Sequence, residues 1–246
     1  MRSNDEAINR LYKTFQHMEG SFHILENNVP VEQQIAYFKD SGRLRKELKQ
    51  QKTSNDDYER YMLDLQNDEL SDDAKKGILL KLAVSKQVRA HRIIEKYLQD
   101  PSPKLTNWAY MALIESRISL ESELSGEKQI YISTGLGGKG NKLRFFVLIL
   151  STEGVPFLDY QRLMIEKELN YSLPKAGCEI ERLKIEEKFV ELVCLTPIKV
   201  HIKKILEAVI LECNQYGSFL SEAFIVTNVK EMNQKEIDQV MKKYWT

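Results

Sequence analysis

The sequence is poor in the residues on which recognisable chemistry is built. It has three cysteines, Cys178, Cys194 and Cys213, an odd number spaced too widely for a disulfide framework or a zinc site. Cys194 in FVELVCL and Cys213 in AVILECN sit in apolar patterns, as small buried side chains do. The four histidines, His17, His23, His91 and His201, are scattered, with no HExxH or HxH among them, so no metal and no cofactor is expected. A GxSxG nucleophile elbow is absent too, and the paired carboxylates Glu186-Glu187 and Asp72-Asp73 fall in turns open to water.

Net charge is also missing. Lys+Arg and Asp+Glu number 36 each, so no overall field collects phosphates and a nucleic-acid reading has to rest on a local patch. No apolar run approaches the roughly 20 residues of a membrane-spanning helix. The opening residues, MRSNDEAINR, lack the apolar core of a signal peptide. With so few cysteines, these absences lead to the expectation of a cytoplasmic protein with no membrane partner. What is present suffices for a core: 42% hydrophobic and 29% charged residues in a chain long enough for one large domain or two ordinary ones.

The first half reads as helix. Ile8, Leu11, Tyr12, Phe15 and Met18 make one stripe over 4–18, and Phe22, Ile24 and Leu25 a short apolar turn. A helix restarts after Pro30 and runs over 31–51, ending in a basic face of Arg43, Arg45, Lys46, Lys49 and Lys52. That face is either a phosphate contact or a solvated surface. Further apolar stripes follow over 74–84, 86–98 and 105–124, the last two parted by the sequence DPSPK.

Asp100-Pro101 precedes a helix whose packing face would be Trp108, Ala109, Ala112 and Leu113. Proline suits a helix start, and the alanines admit a close neighbour. Over about 72–124 this resembles a HEAT-type helical repeat. The resemblance implies an array that offers a binding surface and has no chemistry of its own.

From about 128 the pattern changes. The run 143–150 is apolar on both faces, which belongs to the middle of a covered sheet. The residues before it, 129–133, would supply a hairpin partner. Helix is expected over 156–170, strands over 178–185 and 189–195, and a helix opened by Thr196-Pro197 that runs to about 215. A strand over 223–229 and a helix over 233–244 close the chain, with Trp245 docking on the body. Strand, helix, strand, strand, helix, strand is the order of a ferredoxin-like split βαβ domain. The expected fold class is therefore α+β: an N-terminal α-helical, HEAT-like array (1–125), then a ferredoxin-like domain (126–246) with an extra N-terminal hairpin strand and a C-terminal helix.

The densest local chemistry is the loop Gly135, Leu136, Gly137, Gly138, Lys139, Gly140, Asn141, Lys142, followed by Arg144. Glycines let backbone N–H groups turn toward an anion, and the cations add charge. It is no P-loop, since a strand follows where that motif needs a helix. A flexible hairpin has the same composition. The functional expectation is a non-enzymatic scaffold that binds a protein partner. The alternatives are an RNA- or ribosome-associated factor using this loop and the Arg43–Lys49 face, and an enzyme that binds a phosphorylated small molecule.

Overall fold

The computed structural model describes residues 21–47, 55–127 and 129–245. The helix expected over 4–18, and Lys49 and Lys52 of the basic face, lie outside the described residues. By their contacts the residues fall into two compact units. Among the described residues, one holds Val29–Ile132 with 21–23, and the other holds Ile24–Asn28 and the chain from Ser133 on.

Among the described residues the first unit has five helices, α1 (Val31–Glu47), α2 (Asn55–Gln66), α3 (Asp72–Val84), α4 (Val88–Tyr97) and α5 (Thr106–Ser125). A short two-stranded sheet joins them, with β1 (Ser21–Ile24) paired to β2 (Gln129–Ile132). Ser71 caps α3 by accepting the N–H of Ala74, a contact of the kind that contributes about 1 kcal/mol. Gly126, in the left-handed region, ends α5.

These helices do not stack as a repeat array. In such an array each unit touches only its neighbours, whereas α1 packs on both α3 and α5, and α3 meets every other helix of the unit. The link between α1 and α5 is polar and buried. Tyr37, Ser41 and Arg45, on one face of α1 at four-residue spacing, all reach Glu115 of α5. Tyr37 Oη donates to Oε2 at 2.6 Å, Ser41 Oγ donates to Oε1, and Arg45 Nη2 lies 2.6 Å from Oε1. Glu115 is only 4% exposed, so this carboxylate has exchanged water for three donors.

The second unit is an antiparallel sheet with interspersed helices. Its elements are β3 (Gly138–Lys139), β4 (Lys142–Ser151), α6 (Asp159–Lys175), β5 (Glu179–Ile185), β6 (Phe189–Pro197), α7 (Ile202–Asn214), β7 (Leu220–Thr227) and α8 (Gln234–Tyr244). Across the sheet the order is β5-β6-β4-β7, and β3 pairs with the start of β4. Strand β4 is central, held by β6 on one side and β7 on the other. Both faces of β4 are covered. Phe146, Leu148 and Leu150 form a core with Val193, Leu136 and Ile237 of α8. Phe145, Val147 and Ile149 point the other way and are also buried. The crossover helices α6 and α7 pack on each other and on β5 and β7.

Three sequence expectations change here. The strand over 129–132 is not the hairpin partner of β4; it pairs with β1, and Gly138–Lys139 takes the hairpin role. The 22–25 stretch is strand at its start, not an apolar turn. Thr196-Pro197 opens no helix: Thr196 pairs with Leu143 and Pro197 with Lys142, so β6 runs on and α7 begins at Ile202. A proline at a strand end leaves no ladder hydrogen bond unmade. No helix among the described residues is long and apolar enough to cross a membrane.

Candidate functional site

The glycine loop does not project. Gly135, Leu136, Gly137 and Gly138 are buried, and Leu136, 1% exposed, is a core residue beside Phe146. The glycines are there for close approach. A Cβ on Gly135 would stand 1.8 Å from the carbonyl oxygen of Val229. One on Gly137, whose φ is +66°, would stand 2.6 Å from the carbonyl oxygen of Glu26, and one on Gly138 would stand 2.2 Å from that of Lys142. Three of the four glycines thus admit neighbouring backbone rather than an anion.

The fourth, Gly140, sits at the exposed tip with φ +55° and open space around it. Lys139 pairs with Lys142, leaving Gly140-Asn141 as a two-residue turn, and a positive φ at the first turn position is what glycine supplies. The tip N–H of Gly140 is donated to Glu26 Oε1 at 3.2 Å.

The loop's cations are partly committed. Lys142 Nζ lies 2.6 Å from Glu179 Oε1, and this contact first, then the charge of Lys142, holds the Glu179 carboxyl below its usual range. Arg144 grips Glu181 with two hydrogen bonds, Nη2 to Oε1 at 2.8 Å and Nε to Oε2 at 2.5 Å, and donates Nη1 to the carbonyl of Leu136 at 2.8 Å. The bidentate bond to Glu181 raises the Arg144 pKa further. Arg144 thereby fastens the loop to the sheet. Lys139 remains exposed and forms no ion pair among the described residues.

The sheet register brings other lysines to this end. Lys142 is opposite Pro197, and the N–H of Ile198 is donated to Asn141 O at 3.3 Å. The chain then turns through the exposed Lys199 into α7, whose first turn carries Lys203 and Lys204 and no carboxylate. Lys203 lies over the ring of Phe224, while Lys204 points to solvent. Lysines at the positive end of a helix dipole raise the local potential instead of cancelling it. Lys139, Lys142, Lys199 and Lys204 therefore share one end of the sheet. Sequence reading missed Lys199 and Lys204, because no local signal ties them to a hairpin some sixty residues earlier.

The other basic stretch is in the helical unit and is largely used internally. Arg45 is bound to buried Glu115, Arg43 Nη2 lies 3.1 Å from Asp40 Oδ1, and Lys46 is exposed. Lys49 lies outside the described residues. No cluster of histidine, cysteine and carboxylate side chains that could hold a metal occurs among the described residues.

No protein-family model and no curated protein matches the sequence. Among solved structures, a protein from Deinococcus radiodurans classed as a transposase aligns over 42% of this chain and 91% of its own, at 16% identity and a TM-score of 0.37. A REP-associated tyrosine transposase bound to a REP hairpin aligns over 43% and 70%, at 12% identity and a TM-score of 0.32. The cross-packing of α1, α3 and α5 corrects the HEAT-like reading of 72–124, and with it goes the protein-binding scaffold built on that reading.

Proposed function

We propose that this chain binds nucleic acid through its phosphate backbone, using the lysine-bearing end of the sheet. The observation that supports the reading is the convergence of Lys139, Lys142, Lys199 and Lys204 beside the start of α7. On a chain with no net charge, a grouping of this kind is the local patch that phosphate contact requires. The role given to the glycine loop changes with it. In this reading the loop serves as a post that presents Lys139, with Asn141 beside it. Contacts of this type position a backbone and do not read bases, so binding is weakly dependent on sequence.

We also read the second unit as a ferredoxin-like split βαβ domain, supported by the element order and the strand order β5-β6-β4-β7. With it goes a division into domains over 1–125 and 126–246, the Ile24–Asn28 segment excepted, which limited proteolysis near Gly126 would check.

The binding test is fluorescence anisotropy of a labelled single-stranded oligonucleotide and of a hairpin of the same composition, in DNA and in RNA. The expected result is a Kd of about 10⁻⁴ to 10⁻⁶ M that weakens as salt rises. Three phosphate contacts give a slope of about −2 in log K against log salt for single strands. A K139E/K199E/K204E variant that keeps its fold and binds as well as the parent would end the proposal.

A further inference from the structure

A carboxylate, that of Glu26, sits at the hairpin tip. Glu26 lies in the short Ile24–Asn28 segment that belongs to the sheet unit although it precedes the helices. That segment is locked against the loop: the carbonyl oxygens of Leu25, Glu26 and Asn27 all stand within 3.0 Å of where a Cβ on Gly137 would be, and Ile24 Cγ2 stands 2.6 Å from one on Gly138. Leu25 is buried. From this anchored backbone the Glu26 side chain reaches the solvent-facing tip and accepts the N–H of Gly140. The position is the one an incoming phosphate oxygen would take at the turn. An internal anion already holds it.

We propose that Glu26 is a specificity-determining residue of the lysine surface. Its carboxylate keeps small anions from the tip N–H and leaves binding to polyanions long enough to engage Lys139, Lys199 and Lys204 together. The inference rests on the nucleic-acid reading of this surface. The physical argument is electrostatic: a lone phosphate gains one N–H and one lysine while meeting a fixed negative charge, whereas a strand spreads its contacts and can skirt that charge. Because Glu26 is exposed, its effect is screened and modest.

Two variants separate charge from contact. Glu26→Gln keeps an oxygen to accept the Gly140 N–H and removes the charge; Glu26→Ala removes both. Each is measured, in the full chain, for binding of a fluorescent DNA oligonucleotide and for displacement of that oligonucleotide by inorganic phosphate, with thermal unfolding as the check on folding. The expected result is oligonucleotide binding changed less than about threefold in either variant, and phosphate displacing the probe at lower concentration than from the parent, most of all from Glu26→Ala. If the K139E/K199E/K204E variant loses binding but phosphate displaces the probe from Glu26→Gln and Glu26→Ala no more readily than from the parent, the inference about Glu26 falls and the nucleic-acid reading stands. If binding does not depend on those lysines, both fall.

Discussion

Trp245 donates its indole N–H to the carbonyl oxygen of Ser151 at 3.1 Å, so the end of α8 is fastened to the end of the central strand. The ring also lies on Gly154, where an added Cβ would come within 2.9 Å of it, and under the Lys188 ammonium. Trp245→Phe keeps the ring and loses the hydrogen bond, and is expected to cost about 1 kcal/mol. Trp245→Ala also loses the packing and is expected to cost about 3 kcal/mol. Urea unfolding of the two variants beside the parent would show this order.

The glycine loop gives a paired prediction. Gly135→Ala would drive a methyl group into the backbone of Val229, and is expected to lower stability by 3 kcal/mol or more, at roughly the level of severe core overpacking. Gly140→Ala meets no atom within 4 Å and bears only the strain of φ +55°, so about 1 kcal/mol is expected. Equal losses in thermal melts would contradict the close-approach account.

Glu115 joins α1 to α5 through Tyr37, Ser41 and Arg45. Glu115→Leu leaves those donors without their acceptor in a buried place, and is expected to cost about 3 kcal/mol. Arg45→Ala should cost less, since that side chain is half in water. The unfolding midpoints of the two variants decide it.

Tyr37 makes the helical unit sensitive to alkali. Burial, and then the neighbouring Glu115 carboxylate, push the Tyr37 hydroxyl well above its ordinary value of 10.0. The unfolded chain releases that proton near pH 10 while the folded chain keeps it. The stabilisation is therefore complete below pH 10 and is lost as the pH rises beyond it. Melting temperatures measured from about pH 9 to pH 11 should fall more steeply for the parent than for Tyr37→Phe.

The three cysteines should be inert in the folded protein. All are buried, and burial pushes the Cys194 thiol up to about 12 and Cys213 up to about 11. Thiolate, the reactive form, is scarce at such values. A chromogenic disulfide reagent near neutral pH should label them only after denaturant is added; fast labelling of the native chain would contradict the burial.

How far the sequence revealed this arrangement depends on whether each signal was local. The run 143–150 showed by its lack of polar positions that it would be a central strand covered on both faces, and β4 is paired on both sides. The order of strands and helices after it was also legible from alternation and turn residues. What failed depended on partners far along the chain. β1 is four residues long and exists because β2 lies beside it. Thr196-Pro197 has the local look of a helix start, and pairing with Leu143 and Lys142 overrides it. The spare glycines invited an anion reading because their true neighbours, Val229 and the 25–27 carbonyls, cannot be guessed from adjacent residues. Lys199 and Lys204 went unnoticed for the same reason.

The placement of Ile24–Asn28 has a consequence for how the chain reaches its final form. The helices over 29–132 are an insertion: the sheet unit begins before them and resumes after them. Until both flanks are made, Gly137 lacks the 25–27 carbonyls that it closes upon. A helical body that folds early would hold the two flanks as a short, prepaid loop in place of about a hundred free residues, whose closure would be slow and entropically costly. Replacing the helices by a flexible linker therefore tests assembly order rather than stability, and its signature would be refolding that slows while the unfolding rate stays unchanged.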